Sequence, residues 1–347
     1  MEWRVAEAGD KGGKGIAGSA GRDGRRGRAV LGTTIAAILF AAVGEAGIRA
    51  TGIDWRLLGA LLYVNHADPE VHEPDEGPLL YRLKPGARAE YGERKVTVNA
   101  LGFRDPERIA AKPDGVRRIV VLGASNTYGA AVSDGDTYPA QLERRLNAAG
   151  GDVRWEVWNA GVSAYTLRQM MESARRVLPA YRPDLVILQH NNMGRRPFLR
   201  GDDPRRHFER EPELWWQNVR IFPLGRTAGT RLFELSALWR AVVLGLNHLA
   251  GADPNPGKDD DDALNDEPFV AFCGDGGFGG VPVVLLHPHR KLVDRMRSKG
   301  MQPLSIWLHE HLPPGAGPEY KEIHPPAHVY AWYAEVIQRE LFRMGLL

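Results

Sequence analysis

The chain of 347 residues has one cysteine, Cys273. A single thiol excludes an intramolecular disulfide framework and any zinc site built from several cysteines. Charge of one sign is also missing: 45 Lys+Arg stand against 43 Asp+Glu, leaving a formal net charge of +2. So even a balance gives no electrostatic basis for a nucleic-acid partner, and no basic helix sits in a recognition motif. Long apolar runs are scarce too, with a single one near the amino terminus. What is present is ordinary for a globular protein: 43% hydrophobic and 25% charged residues. That is enough apolar material for one large domain with appendages.

The one apolar run is Ala29 to Gly44, sixteen residues without a charge, preceded by Arg25, Arg26 and Arg28. At ~1.5 Å per residue it spans ~24 Å, and ~30 Å if it continues to Ile48, which is the thickness of a bilayer core. A cleaved signal segment and a buried core helix pass the same test, but no small-x-small cleavage site follows. The reading adopted is an uncleaved transmembrane anchor over 29–48, with a disordered cytoplasmic segment at 1–28. The upstream arginines set the amino terminus in the cytoplasm and the rest on the extracytoplasmic side. Residues 49–115 form a lead-in to a domain covering 116–347.

Within that domain strands and helices alternate. Arg117–Leu122, Trp155–Trp158, Leu185–Leu188, Val283–Leu286 and Leu304–Leu308 are apolar runs bounded by turns. Helical spacing fills 137–149, 166–181 and 326–343, and a basic helix lies between the last two strands. Such alternation predicts a doubly wound α/β sheet of parallel strands buried on both faces. Ligands in these sheets sit beyond the carboxyl ends of the strands, so the loops at 123–129, 159–165, 189–194, 287–289 and 309–324 are expected to share one rim.

Four residues on that rim carry hydrolytic chemistry. Ser125 follows the first strand directly, as an exposed nucleophile requires; a loop or cap serine would look the same. Gly161 offers an unobstructed amide and Asn191 a side-chain amide to a developing oxyanion, although either residue also suits a plain turn. His324, just before the last helix, is placed to act as general base, where a lone histidine is otherwise structural.

These residues carry a resemblance. Residues 117–147, Glu156–Tyr165, Pro183–Asn192 and 322–337 are similar, in this order, to the four blocks of the SGNH (GDSL-type) hydrolase superfamily. Ser125, Gly161, Asn191 and His324 fall on its four defining positions. The lead-in, with YRLKPGARAEY and VNALGFRDPE behind an apolar helix, resembles membrane-anchored bacterial members. The resemblance implies a flavodoxin-like three-layer α/β/α fold with a five-stranded, mainly parallel sheet, and a serine esterase or acyltransferase acting on a small-molecule or glycan acyl ester. Ser125 would be the nucleophile and His324 the base. The amide of Ser125, with Gly161 and Asn191, would form the oxyanion hole, and no cofactor or metal is implied.

Three positions depart from the family pattern. Its Gly-Asp-Ser is Gly123-Ala124-Ser125 here, and its Gly-x-Asn-Asp is Gln189-His190-Asn191-Asn192. The acid three residues before the histidine is Lys321, a cation that opposes an imidazolium; Glu322 is the favoured substitute carboxylate, with Glu319 as the other choice. The competing function is a catalytically inactive glycan-binding protein of the same fold. A metal-assisted hydrolase using His287, His289, His309 and His311 is a minor alternative without H-E-x-x-H spacing. An insertion at about 195–280 contains Trp215-Trp216, an apolar helical stretch at 232–250 and the acidic run 259–262, readable as a lid or as a surface helix with a solvated loop.

Overall fold

The structure is a computed structural model that describes residues 20–61, 68–75, 79–190, 205, 226–250 and 266–347. Helix α1 (Ala20–Thr51) begins ahead of the arginines, and its stretch Val30–Thr51, with mean hydropathy 1.7, is long and apolar enough to cross a membrane. A short helix, α2 (Ile53–Leu61), follows. The lead-in then folds into two antiparallel hairpins, β1 (His72–Pro74) with β2 (Tyr81–Leu83) and β3 (Arg88–Tyr91) with β4 (Arg94–Thr97).

The α/β domain opens with β5 (Val116–Gly123), a one-turn helix α3 (Ser125–Tyr128), α4 (Tyr138–Ala148) and β6 (Arg154–Gly161). It continues with α5 (Leu167–Tyr181) and β7 (Leu185–Gln189). The insertion contributes α6 (Arg226–Leu235) and α7 (Ala237–Leu249). Then come α8 (Glu267–Gly274), β8 (Val283–Leu286), α9 (Arg290–Ser298), β9 (Leu304–Ile306) and α10 (Ala327–Arg343). The five strands pair in parallel in the order β6-β5-β7-β8-β9, the flavodoxin-like arrangement.

Period-two alternation along the strands divides the core into two layers. Val120, Leu122, Val186 and Leu188 face one cluster, completed by Met170 and Val177 of α5, Phe269 of α8 and Leu292 of α9. Ile119, Val121, Ile187 and Val284 face the other, with Leu142 of α4 and Tyr330 and Ile337 of α10. Strands buried on both faces must be apolar throughout, which is why they stand out in the sequence.

Differences from expectation have local causes. β6 does not turn at Asn159, because Asn159, Ala160 and Gly161 stay in register with Val121, Leu122 and Gly123 of β5. β9 stops at Ile306, where the chain enters a 3-10 turn at Leu308–His311. The apolar stretch 232–250 breaks at Ser236, whose hydroxyl accepts from Trp239 N at 3.1 Å and caps α7.

The described part of the insertion packs against α1 and α2. The Glu45 carboxylate on α1 accepts from Ser236 Oγ (2.8 Å), Ala237 N (3.0 Å) and Leu238 N (2.9 Å), holding the start of α7. Arg240 pairs with Asp54 of α2 at 2.9 Å, both side chains buried, and its guanidinium lies 4.5 Å from the ring of Trp55. Leu58, Phe233, Val243 and Leu244 are fully buried there, outside both layers of the α/β core.

Candidate active site

Ser125 is the first residue of α3, at the carboxyl end of the strand next to the sheet's edge strand β6. Its side chain is half-buried, and the residue before it, Ala124, is buried and supplies no side-chain cap. The first amides of a helix have no partner within it, and the Ser125 N–H is the first of α3. Two glycines let α3 sit this close to the sheet. A Cβ on Gly123 would lie 2.0 Å from Thr127 Oγ1, and one on Gly161 would lie 2.4 Å from Tyr128 N. Gly161 is therefore required by close approach, and its amide donates to Asn159 Oδ1 at 3.0 Å.

The missing Asp at position 124 leaves the bracing of this loop to other groups. Thr127 Oγ1 donates to Gln189 Oε1 at 2.8 Å and lies 2.8 Å from the Tyr138 hydroxyl, so Gln189, in place of the family's glycine, ties α3 to β7. Arg104, from the lead-in, does the most. It is fully buried and donates to the carbonyls of Tyr128 (2.7 Å), Gly129 (2.6 Å), Val132 (2.6 Å) and Lys95 (3.2 Å) and to Asp134 Oδ1 (3.0 Å). Five donors meet five acceptors, the whole capacity of a guanidinium. The second loop is strapped by the first hairpin: Tyr81 OH donates to Ser163 O and Tyr165 OH to Tyr81 O, each at 2.6 Å.

His324 stands across the rim, half-buried, three residues before α10. The start of α10 is fixed by Gln141 Nε2, which donates to Ala327 O at 3.0 Å, and by Tyr330 OH, which donates to Asn126 Oδ1 at 3.3 Å beside Ser125. Burial, and then the nearby Arg94 guanidinium, hold the His324 imidazole below its ordinary pKa, so it is neutral at pH 7. Arg94 projects from β4, stacks 4.4 Å over the Tyr91 ring and donates to the carbonyl of Ala130. It thus faces both the histidine and the loop after Ser125.

Among the described residues no hydrogen bond joins Ser125 to His324, and none joins His324 to a carboxylate. Glu322 and Lys321 are exposed, and Glu319 Oε1 is 4.0 Å from His328 Nε2. Asn191, Asn192, Trp215, Trp216 and the acidic run 259–262 lie outside the described residues.

The histidine pairs converge further than their spacing indicates. His190 and His289 have ring centroids 4.9 Å apart, and His287 and His309 5.2 Å apart. His190 Nε2 also lies 3.4 Å from Asp266 Oδ1, both buried. Desolvation, followed by the imidazoles of His309, His289 and His190, keeps His287 below its ordinary pKa. His287 adopts φ +54°, a left-handed conformation uncommon outside glycine. His311 sits apart, 3.9 Å from Glu340. Among the described residues no group of three or more His, Cys, Asp or Glu is arranged to hold a metal ion. An apolar cavity lined by Cys273, Phe278, Val283, Met296 and Leu304 lies at the opposite, amino-terminal ends of β8 and β9, away from this chemistry.

Arg94 and Arg104 are site residues that sequence reasoning does not single out. The one signal was the lead-in text around Gly102-Phe103-Arg104-Asp105, quoted for its resemblance and not for a role.

No family model and no curated protein matches the chain. Solved structures do. TesA is 14% identical, with 67% of this chain and all (100%) of that one covered at a TM-score of 0.39. AlinE4, an SGNH-hydrolase family esterase, is 15% identical over 67% of this chain and 98% of that one, with a TM-score of 0.32. A mutant of Axe2, an acetyl-xylooligosaccharide esterase from Geobacillus Stearmophilus, is 12% identical over 65% and 94%, with a TM-score of 0.38. Of these three, AlinE4 is described by the family name that the sequence blocks resemble. With TM-scores below 0.5, the activity of this chain is argued from its own residues.

Proposed function

We propose that the protein is a membrane-anchored serine hydrolase of SGNH type that cleaves or transfers an acyl group on an ester of a carbohydrate or lipid. The observation that carries this reading is placement: Ser125 opens α3 behind β5, and Tyr330, in the helix that follows His324, reaches Asn126 Oδ1 beside Ser125, while burial and Arg94 hold the half-buried His324 below its ordinary pKa. A neutral imidazole is the form that takes a proton.

In this mechanism Ser125 Oγ attacks the ester carbonyl carbon while His324 takes the hydroxyl proton. The tetrahedral oxyanion is met by the Ser125 amide, by the Gly161 amide as it shifts from Asn159 Oδ1, and by the Asn191 side chain, at ~3 kcal/mol per donor. Collapse breaks the bond to the alcohol, which leaves with the proton from His324. Water, or a sugar hydroxyl, then gives its proton to His324 and attacks the acyl-serine, releasing the acid or a new ester. Glu322 is the carboxylate assigned to steady the imidazolium, which requires its loop to turn inward. The Ser125–His324 bond forms when substrate closes the site, since catalytic hydrogen bonds in free enzymes are often long. Arg25, Arg26 and Arg28 ahead of the apolar helix put the domain on the extracytoplasmic side.

A second reading, an inactive glycan-binding protein, is favoured by the lack of a hydrogen bond to His324 among the described residues and by Lys321 at the acid position. Turnover of p-nitrophenyl acetate and butyrate by the full chain in detergent separates the two. Hydrolysis is expected, falling by ~10²–10⁴ in His324→Ala, the range for losing a general base. A folded protein with no turnover, whose His324→Ala variant is indistinguishable from it, would contradict the hydrolase reading.

A further inference from the structure

We propose that helix α7, with the end of α6, lies in the surface of the membrane that α1 crosses, so that this described part of the insertion is a second lipid contact. The proposal rests on reading α1 as a membrane span.

Exposed apolar side chains are distributed unevenly. On the α/β domain they are scattered singly, as at Val153, Ile323 and Phe342. On α6 and α7 they cluster: Leu232, Leu235, Val242, Leu246 and Leu249, with Leu235 72% and Leu249 85% exposed. Val242, Leu246 and Leu249 stand at i, i+4 and i+7, one stripe along a helix. The opposite side, with Arg240, Val243, Leu244 and Asn247, is the buried one. A surface helix in water turns its charges outward. Here Arg240, the only Lys, Arg, Asp or Glu in the helix, is turned inward onto Asp54, and the outward stripe is apolar.

Attachment to α1 decides which apolar phase covers this stripe. The apolar run of α1 ends at Gly44, and the next residue, Glu45, holds the first turn of α7 through three hydrogen bonds. Arg49 Nη2 donates to Leu235 O at 2.7 Å, at the junction of α6 and α7. A Cβ on Gly44 would meet both δ-carbons of Leu238 at 3.5 Å, so the two helices pack closely there. The start of α7 is therefore fixed at the level where α1 leaves the hydrocarbon. α1 itself is bare and apolar just ahead of this point, at Ile38, Phe40 and Val43. Trp55 and Trp239, both half-buried, belong to this level, where indole rings concentrate at membrane surfaces. An apolar stripe joined to a lipid-facing helix is covered by the same bilayer.

The test uses the full chain in a Cys273→Ser background, reconstituted into phosphatidylcholine–phosphatidylglycerol vesicles. Single cysteines at Leu246→Cys, Ile38→Cys and Val153→Cys carry a bimane fluorophore, quenched in turn by doxyl lipids and by aqueous iodide. The expected result is strong lipid quenching and weak iodide quenching at 246 and at 38, with the reverse at 153. Position 246 behaving like 153 while 38 is quenched by lipid would overturn the α7 contact and leave the anchor standing. Position 38 escaping lipid quenching would overturn the span and the proposal together. Shielding of 246 from both quenchers, the result for a protein partner or a second copy, would also overturn it.

Discussion

The two halves of the candidate site are built differently. On the serine side, β5 and β6 deliver Ser125 and Gly161 at adjacent strand ends, and the lead-in straps both loops. Arg104 saturates its five donors there, Tyr81 and Tyr165 bridge the second loop, and Gln189 holds Thr127. On the histidine side, His324 follows a 3-10 turn between exposed Glu322 and two prolines, and no described side chain is hydrogen-bonded to it. Ser125 is held by packing and buried hydrogen bonds, whereas His324 is placed by the helix that follows it, and Arg94 acts on its charge alone. Such an arrangement fixes the loop that carries Ser125 and leaves His324 more room to adjust.

Three perturbations sharpen this contrast. The largest effect is expected from Arg104→Ala, which removes five hydrogen bonds, to Asp134 and to four carbonyls. Removing one partner of a buried charge network costs about 3–5 kcal/mol, so the urea midpoint and ester turnover should fall together. An unchanged midpoint would show that the strap is ornamental.

The next effect concerns His72, packed in the serine-side collar against Tyr81 and Tyr128. Burial, against the raising influence of Asp68, pulls its pKa from 6.5 to about 4. The unfolded chain therefore binds a proton the folded one refuses, and stability rises with pH between these values. The contribution is complete above pH 6.5 and is lost as pH falls through about 4; at ~1.4 kcal/mol per unit this amounts to about 3 kcal/mol. Urea unfolding at pH 7 and pH 4 should show that loss in the native chain and less of it in His72→Phe.

The smallest effect is on the histidine side. With its pKa held down, His324 stays a competent base below pH 6.5, so the acid limb of kcat/KM should lie below that value. Arg94→Gln removes one of the two causes and should move the limb upward, with little change in stability. A limb that does not move would place Arg94 outside the electrostatics of the base.

Much of the fold was legible because its signals are local. Val120, Val121 and Leu122 announce a strand buried on both faces, and Thr166 with Gln169 forms the capping box that starts α5. Ser125 and Gly161 could be read from their places at strand ends. The role of Arg104 could not, since four of its five acceptors are carbonyls, three of them 24 to 28 residues downstream, and a carbonyl leaves no mark in the sequence. The lead-in hairpins escaped because strands of three and four residues carry too little alternation to be seen. The break at Ser236 was hidden inside an unbroken apolar pattern, and its cause, Glu45, is 191 residues away. His287 and His289 were visible as a pair, but their meeting with His190 needs the β7–β8 pairing.

The account stands or falls on Ser125 as the nucleophile. The direct measurement is peptide mass mapping after treating the full chain with a fluorophosphonate probe, beside Ser125→Ala. A single phosphonyl adduct on Ser125, absent from the alanine variant and slowed in His324→Ala, is the predicted result. A folded protein that takes no adduct, or takes it on another serine, would contradict it.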